Sequence, residues 1–179
     1  MKNLHFILFV FSLCFLTSCN SKPEVSKLFS SNLLKIENNI PYFQSDSFVA
    51  NPLGFELSPI VFENHFYNYF DKSFEPVKNI HDTSLIDTIV NYSHANCIVQ
   101  FYKTHGRTLL SAFDSDDPVL AVAGNVSVGI PKSDFIKIFG LGSLQNDTCE
   151  VGNEEGTFRF RFIFVQNKLS KITFSGYTD

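Results

Sequence analysis

Tryptophan is absent from this 179-residue chain, and its single methionine is residue 1. Interfaces and pockets often rely on the former, and irregular cores on the latter, so both roles fall to other side chains. Charge is sparse, at 18% of residues, with 14 Lys and Arg against 18 Asp and Glu. Neutralising phosphate needs a clustered basic excess, so nucleic acid is excluded as a partner class. Protein charge is equally unsuited to holding an anionic lipid face. The apolar runs fall short of the roughly 20 residues that span a bilayer. The chain has no Gly-x-Ser-x-Gly elbow, no His-Glu-x-x-His and no Gly-x-x-x-x-Gly-Lys loop. We therefore expect no enzymatic reaction, no cofactor and no metal. What the chain has instead is phenylalanine, 21 of them, which forecasts strands with one aromatic face.

The amino terminus is the most specific stretch. Lys2 precedes the apolar run Phe6–Leu16, and small residues lead to Cys19. That is the order of a secretory signal, with a charged segment, a short apolar segment and a cleavage point. Leu16-Thr17-Ser18-Cys19 resembles the lipobox of bacterial lipoproteins. The resemblance implies removal of residues 1–18, acylation of Cys19 and attachment to the cell envelope. Asn20, not being Asp, implies the outer membrane, on its periplasmic or surface face. Residues 19–35, polar and rich in Ser and Asn, read as a flexible tether. Cys14 leaves with the signal, so Cys97 and Cys149 remain in an oxidising compartment, either as a disulfide or as two buried thiols.

The remainder divides into an amino-terminal half, 36–116, and a carboxy-terminal half, 117–179. In the first, Asn38-Asn39, Pro41 and Pro52 break residues 36–57 into short runs, with one or two edge strands. Ser58 and Pro59 open a helix on which Phe62, Phe66, Tyr69 and Phe70 share a face. Strands follow at Ile86–Tyr92, Asn96–Tyr102 and Thr108–Phe113, with a turn at His105-Gly106. In the second, Val119–Val128 is apolar and β-rich, and a helix enters at Pro131 and stops at Gly140. Strands then occupy Thr148–Val151, Thr157–Val165 and Leu169–Ser175. In the last pair Phe158, Phe160, Phe162 and Phe164 alternate with Arg159, Arg161, Ile163 and Val165. A three-residue loop, 166–168, places Phe162 opposite Ile172 and Phe160 opposite Phe174. The expected class is α+β: an antiparallel sheet covered on one face by short helices. Its halves are either a tandem of two helix-on-sheet units or unrelated.

Gly129, Phe135, Phe139 and Gly140, ahead of strands and an aromatic hairpin, are similar to the α+β unit of β-lactamase inhibitor proteins. The small lipoprotein of the outer-membrane barrel assembly machinery shares that unit. The resemblance spans about residues 119–176 and implies protein binding rather than catalysis.

Arg159 and Arg161 project away from the Phe ladder, with Lys171 and Thr173 across the hairpin. They form a candidate docking strip for an acidic partner, or a solvated sheet face. His94 with Cys97 is too few ligands for zinc. Asp114, Asp116 and Asp117 read as a turn rather than a calcium loop. Glu150, Glu154 and Glu155 read as a polar loop. Asp87-Thr88-Ile89 resembles a periplasmic O-glycosylation tripeptide. The expected function is that of a lipid-anchored envelope protein: a non-enzymatic protein-binding, scaffold or inhibitor-like module with a protein partner. The alternative is a small-ligand or carbohydrate-binding lipoprotein using Tyr67, Tyr69 and Tyr92 in a pocket between the halves.

Overall fold

Two-residue turns with consecutive left-handed residues set the register of two hairpins. The computed structural model describes residues 27–79 and 81–176, so residues 1–18 and Cys19 lie outside the described part. Strands β1 (Asn32–Glu37) and β2 (Ile40–Gln44) are joined by Asn38 and Asn39, at φ 49° and 64°. Asparagine tolerates that region, and such a turn matches the twist of the flanking strands. Strands β8 (Phe158–Val165) and β9 (Lys168–Gly176) are joined in the same way by Gln166 and Asn167. The expected register holds here, with Phe162 opposite Ile172 and Phe160 opposite Phe174. The turn, however, has two residues rather than three. A bulge between Ile163 and Phe164 absorbs the difference, and the Ser170 hydroxyl donates to the Ile163 carbonyl at 3.0 Å.

The remaining strands are β3 (Asp71–Lys78), β4 (Ile86–His94), β5 (Cys97–Lys103), β6 (Thr108–Ser115) and β7 (Thr148–Gly152). They join the others in one sheet of nine, ordered β1-β2-β7-β8-β9-β6-β5-β4-β3. Every neighbouring pair is antiparallel except β2 and β7, which are parallel. The helices are α1 (Asp46–Ala50), α2 (Pro59–His65) and α3 (Lys132–Phe139). This overturns the expected antiparallel sheet covered by helices. The sheet is mixed, and the ladder between β6 and β9 fuses its two meanders into one surface. Nine strands span about 38 Å, whereas an eight-residue helix is about 12 Å long. Three such helices cannot roof the sheet. Irregular chain completes the cover, burying Leu53, Leu120, Val122, Val126, Leu141 and Leu144.

The core explains the phenylalanine content. Phe48 of α1 packs against Phe139 of α3 and against Phe160 of β8, at ring separations of 5.1 and 5.2 Å. Phe135 meets Phe162 and Phe164, and Phe62 meets Tyr92 and Phe101. The aromatic contacts of Phe48 cross the 116/117 division, and β2 pairs with β7 across it.

Several local expectations change. Residues 28–35 are not tether throughout: Phe29 is buried in the core, and Asn32–Glu37 is a strand. Helix α2 ends at His65, and left-handed Asn68 turns the chain so that Phe66 and Phe70 still reach the core. Val119–Val128 forms no strand beyond a bridge from Val122 to Val126, because Gly124 and Asn125 both take positive φ. Helix α3 matches expectation, with Gly140 as its left-handed cap at φ 62°.

Candidate functional site

Arg159 and Arg161 do leave β8 on the face away from the helices, but they are not an unopposed basic strip. Register places Glu150 of β7 opposite Arg161 and beside Tyr42 of β2. Glu150 is 3% exposed. Its Oε2 accepts from Arg159 Nη1 at 2.8 Å, and its Oε1 accepts from Arg161 Nε and Nη2 at 2.8 and 2.7 Å. Arg159 also reaches Glu37 at 3.3 Å and stacks over the Tyr42 ring at 4.7 Å. Lys171 pairs with Asp114 at 2.9 Å, and Thr173 lies in register between Asp114 and Arg161. Carboxylates on β7, β6 and β1 thus largely neutralise the strip. Glu150, expected in a loop with Glu154 and Glu155, is instead the buried member holding both guanidinium groups. Sequence spacing gave no sign of this, because the partner strands are set by long-range register.

A separate concavity lies at the β3 edge. A groove of about 510 Å³ runs between α2, the β3–β4 hairpin and the turn after β5. Ile60 is 72% exposed, Phe74 63% and Ile86 61%, and Leu85 is also exposed. Around these apolar groups, Lys72 is paired with Glu63, which also accepts from the Tyr92 hydroxyl. Those two donors hold the Glu63 carboxyl below its usual range, Lys72 having the larger effect. Burial, then the Glu63 bond, holds the Tyr92 phenol above its usual range. Sequence reading missed this site because β3, with Asp71, Lys72, Glu75, Pro76 and Lys78, carries no strand pattern. Those same residues suit an edge, where charge and proline discourage strand addition.

Other candidates are dispersed. Tyr92 is buried and Tyr67 exposed at a cavity of about 160 Å³ within the amino-terminal half, while Tyr69 stacks on His94 at 4.2 Å. These three hydroxyls do not converge between the halves. Asp117 caps the Val119 amide at 2.8 Å. Asp87 is buried in β4 and accepts from Tyr102 at 2.6 Å and from Asn79 at 2.7 Å. Among the described residues, no group of His, Cys, Asp and Glu could hold a metal ion, and no helix is long and apolar enough to cross a membrane.

Cys97 and Cys149 are free and buried. Register runs from Cys97 through Ser115, Ile172 and Phe162 to Cys149, four strand spacings or about 19 Å. A disulfide needs Cα atoms within about 7 Å, so the bridge is ruled out and the two buried thiols stand. Burial pushes the Cys97 thiol up to about 11, with Asp117 and Asp114 adding and the Ser115 hydroxyl opposing. Burial raises Cys149 as well. Both native thiols should therefore resist alkylation at pH 8 and react on denaturation, which mass spectrometry would count. Because the folded pKa is raised, this contribution to stability is complete below about pH 9 and declines as pH rises through 11. Denaturant melts across that window should show the decline, and Cys97→Ala should lessen it only in part, since burial raises Cys149 and the Tyr92 phenol as well.

Compared with protein-family models, curated proteins and solved structures, the chain gave no match.

Proposed function

We propose that this chain is a lipid-anchored protein of the bacterial cell envelope, held in the outer membrane through Cys19. It acts there as a non-enzymatic protein-binding module, in an accessory or scaffold role. The observation that carries the binding part is the β3-edge groove, where Ile60, Phe74, Leu85 and Ile86 expose apolar surface together. Such clusters mark interaction sites on soluble domains, and a central aromatic anchor is the usual source of binding energy. The partner surface is an apolar segment whose side chains seat around Phe74. The Arg159 and Arg161 strip is the weaker docking surface, because its charges already have partners within the sheet.

A photoreactive residue at position 74 should give one discrete protein adduct in native membranes. Ile60→Asp with Ile86→Asp should abolish it while changing stability by only about 0.5 kcal/mol per exposed site. An adduct indifferent to both substitutions, or equally strong from Val165 on the opposite face, would overturn the reading.

A further inference from the structure

We propose that the β1 edge is the part of the domain that lies on the lipid surface, with Leu33 and Ile36 in the boundary between headgroups and acyl chains. This rests on the Cys19 anchor proposed above and not on the β3 groove. The described chain begins at Lys27, beside Gly140 at the end of α3, and the Leu28 and Phe29 amides bond the Ile138 carbonyl. Only residues 20–26 separate Lys27 from Cys19. Fully extended, that connection spans at most about 28 Å, and any relaxed form brings the domain closer.

At this same end the surface is unusually apolar. Leu28 and Leu33 are each 56% exposed and Ile36 is 64% exposed, with Leu34 at the bulge between them. Register sets Leu33 opposite Phe43 and Ile36 opposite Pro41. Both therefore point to the core side of the sheet, where they rim a groove of about 350 Å³ floored by Leu141 and Leu144. Edge strands exposed to water are ordinarily protected by charge. This one has its charges, Lys35 and Glu37, paired with each other, and carries leucine and isoleucine on the core side, where a short leash would press it against lipid. A patch of this size supplements acyl chains rather than replacing them. The geometry also aims the β3 groove away from the bilayer, because β3 lies at the opposite edge, about 38 Å across.

The lack of tryptophan makes the test direct, since Ile36→Trp introduces a lone reporter. The lipidated full chain is placed in phosphatidylethanolamine–phosphatidylglycerol vesicles. Emission from position 36 should shift to shorter wavelength and be quenched by brominated acyl chains, whereas Phe74→Trp should show neither effect. Leu33→Trp provides a second reporter if position 36 disturbs β1. Protein that floats with vesicles while both β1 reporters stay solvent-like overturns the proposal and leaves the anchor intact. Protein that does not float removes the anchor and the proposal together. In the Cys19→Ser form free in buffer, the β1 reporters should emit as exposed tryptophan. Short-wavelength emission there means residues 20–26 or a second copy already cover the groove, which also overturns the proposal.

Discussion

Phe162→Ala should destabilise the domain by about 3–5 kcal/mol, measured as a fall in the denaturant midpoint at unchanged slope. Its ring is fully buried and meets Phe135 at 4.8 Å, Phe139 at 5.6 Å, Phe48 at 6.2 Å and Phe160 at 6.3 Å. Those neighbours belong to α3, α1 and β8, so closing the cavity would need three elements to move together. The cost belongs at the high end because interiors relax only partly around a deleted ring. A change of similar size on the whole stability of such a domain would leave little folded margin. Phe74→Ala, on an exposed ring, should change stability by about 0.5 kcal/mol. The contrast separates the phenylalanines that hold the fold from the one assigned to a partner.

Arg159→Ala combined with Arg161→Ala should cost about 1–3 kcal/mol, because Glu150 loses both of its partners while the truncation opens it to water. Arg161→Ala alone should cost less, since Arg159 still reaches the carboxylate and Arg161 is itself half exposed. Replacing Glu150 by Leu along with both arginines by apolar residues should recover much of the loss, because a buried ion pair is weak evidence of net stabilisation. Reversal of both arginines to Glu is the wrong probe of docking on this face. It would set two new carboxylates against Glu150 and Glu37 and read out as unfolding, whether or not a partner is present. Thermal melts of the single, double and triple variants separate these cases, and non-additivity between the arginines measures their sharing of Glu150.

Much of the sheet was legible in residues that act locally. Strict alternation from Phe158 to Phe164 fixed a strand, and its pairing with β9 followed from the turn at Asn167. Ser58 and Pro59 announced α2, and its cap is made by the Ser58 hydroxyl, which accepts from the Val61 amide at 3.2 Å. What escaped depends on contacts far apart in sequence. Nothing in Ile40–Gln44 announces a parallel pairing with β7, more than 100 residues away. The ladder between β6 and β9 likewise joins both halves in one sheet, where the sequence leaves a tandem of two separate units as one of the alternatives. Edge strands were the other blind spot. β1 and β3 bury almost nothing, so neither carries the alternation that betrays a half-buried strand. The candidate site sits on β3 for the same reason, since an exposed surface lacks the pattern that packing imposes. The charged strip on β8 was visible, but its neutralisation by Glu150 was not, because that carboxylate arrives from a different strand.

Both proposals about placement depend on the covalent state of residue 19. Mass spectrometry of the intact protein, extracted from membranes of the cells that produce it, tests this most directly. The mature chain should begin at Cys19 and carry diacylglycerol on its sulfur, with residues 1–18 gone. A chain that begins elsewhere, or an unmodified thiol at position 19 in protein recovered from the soluble fraction, would contradict it.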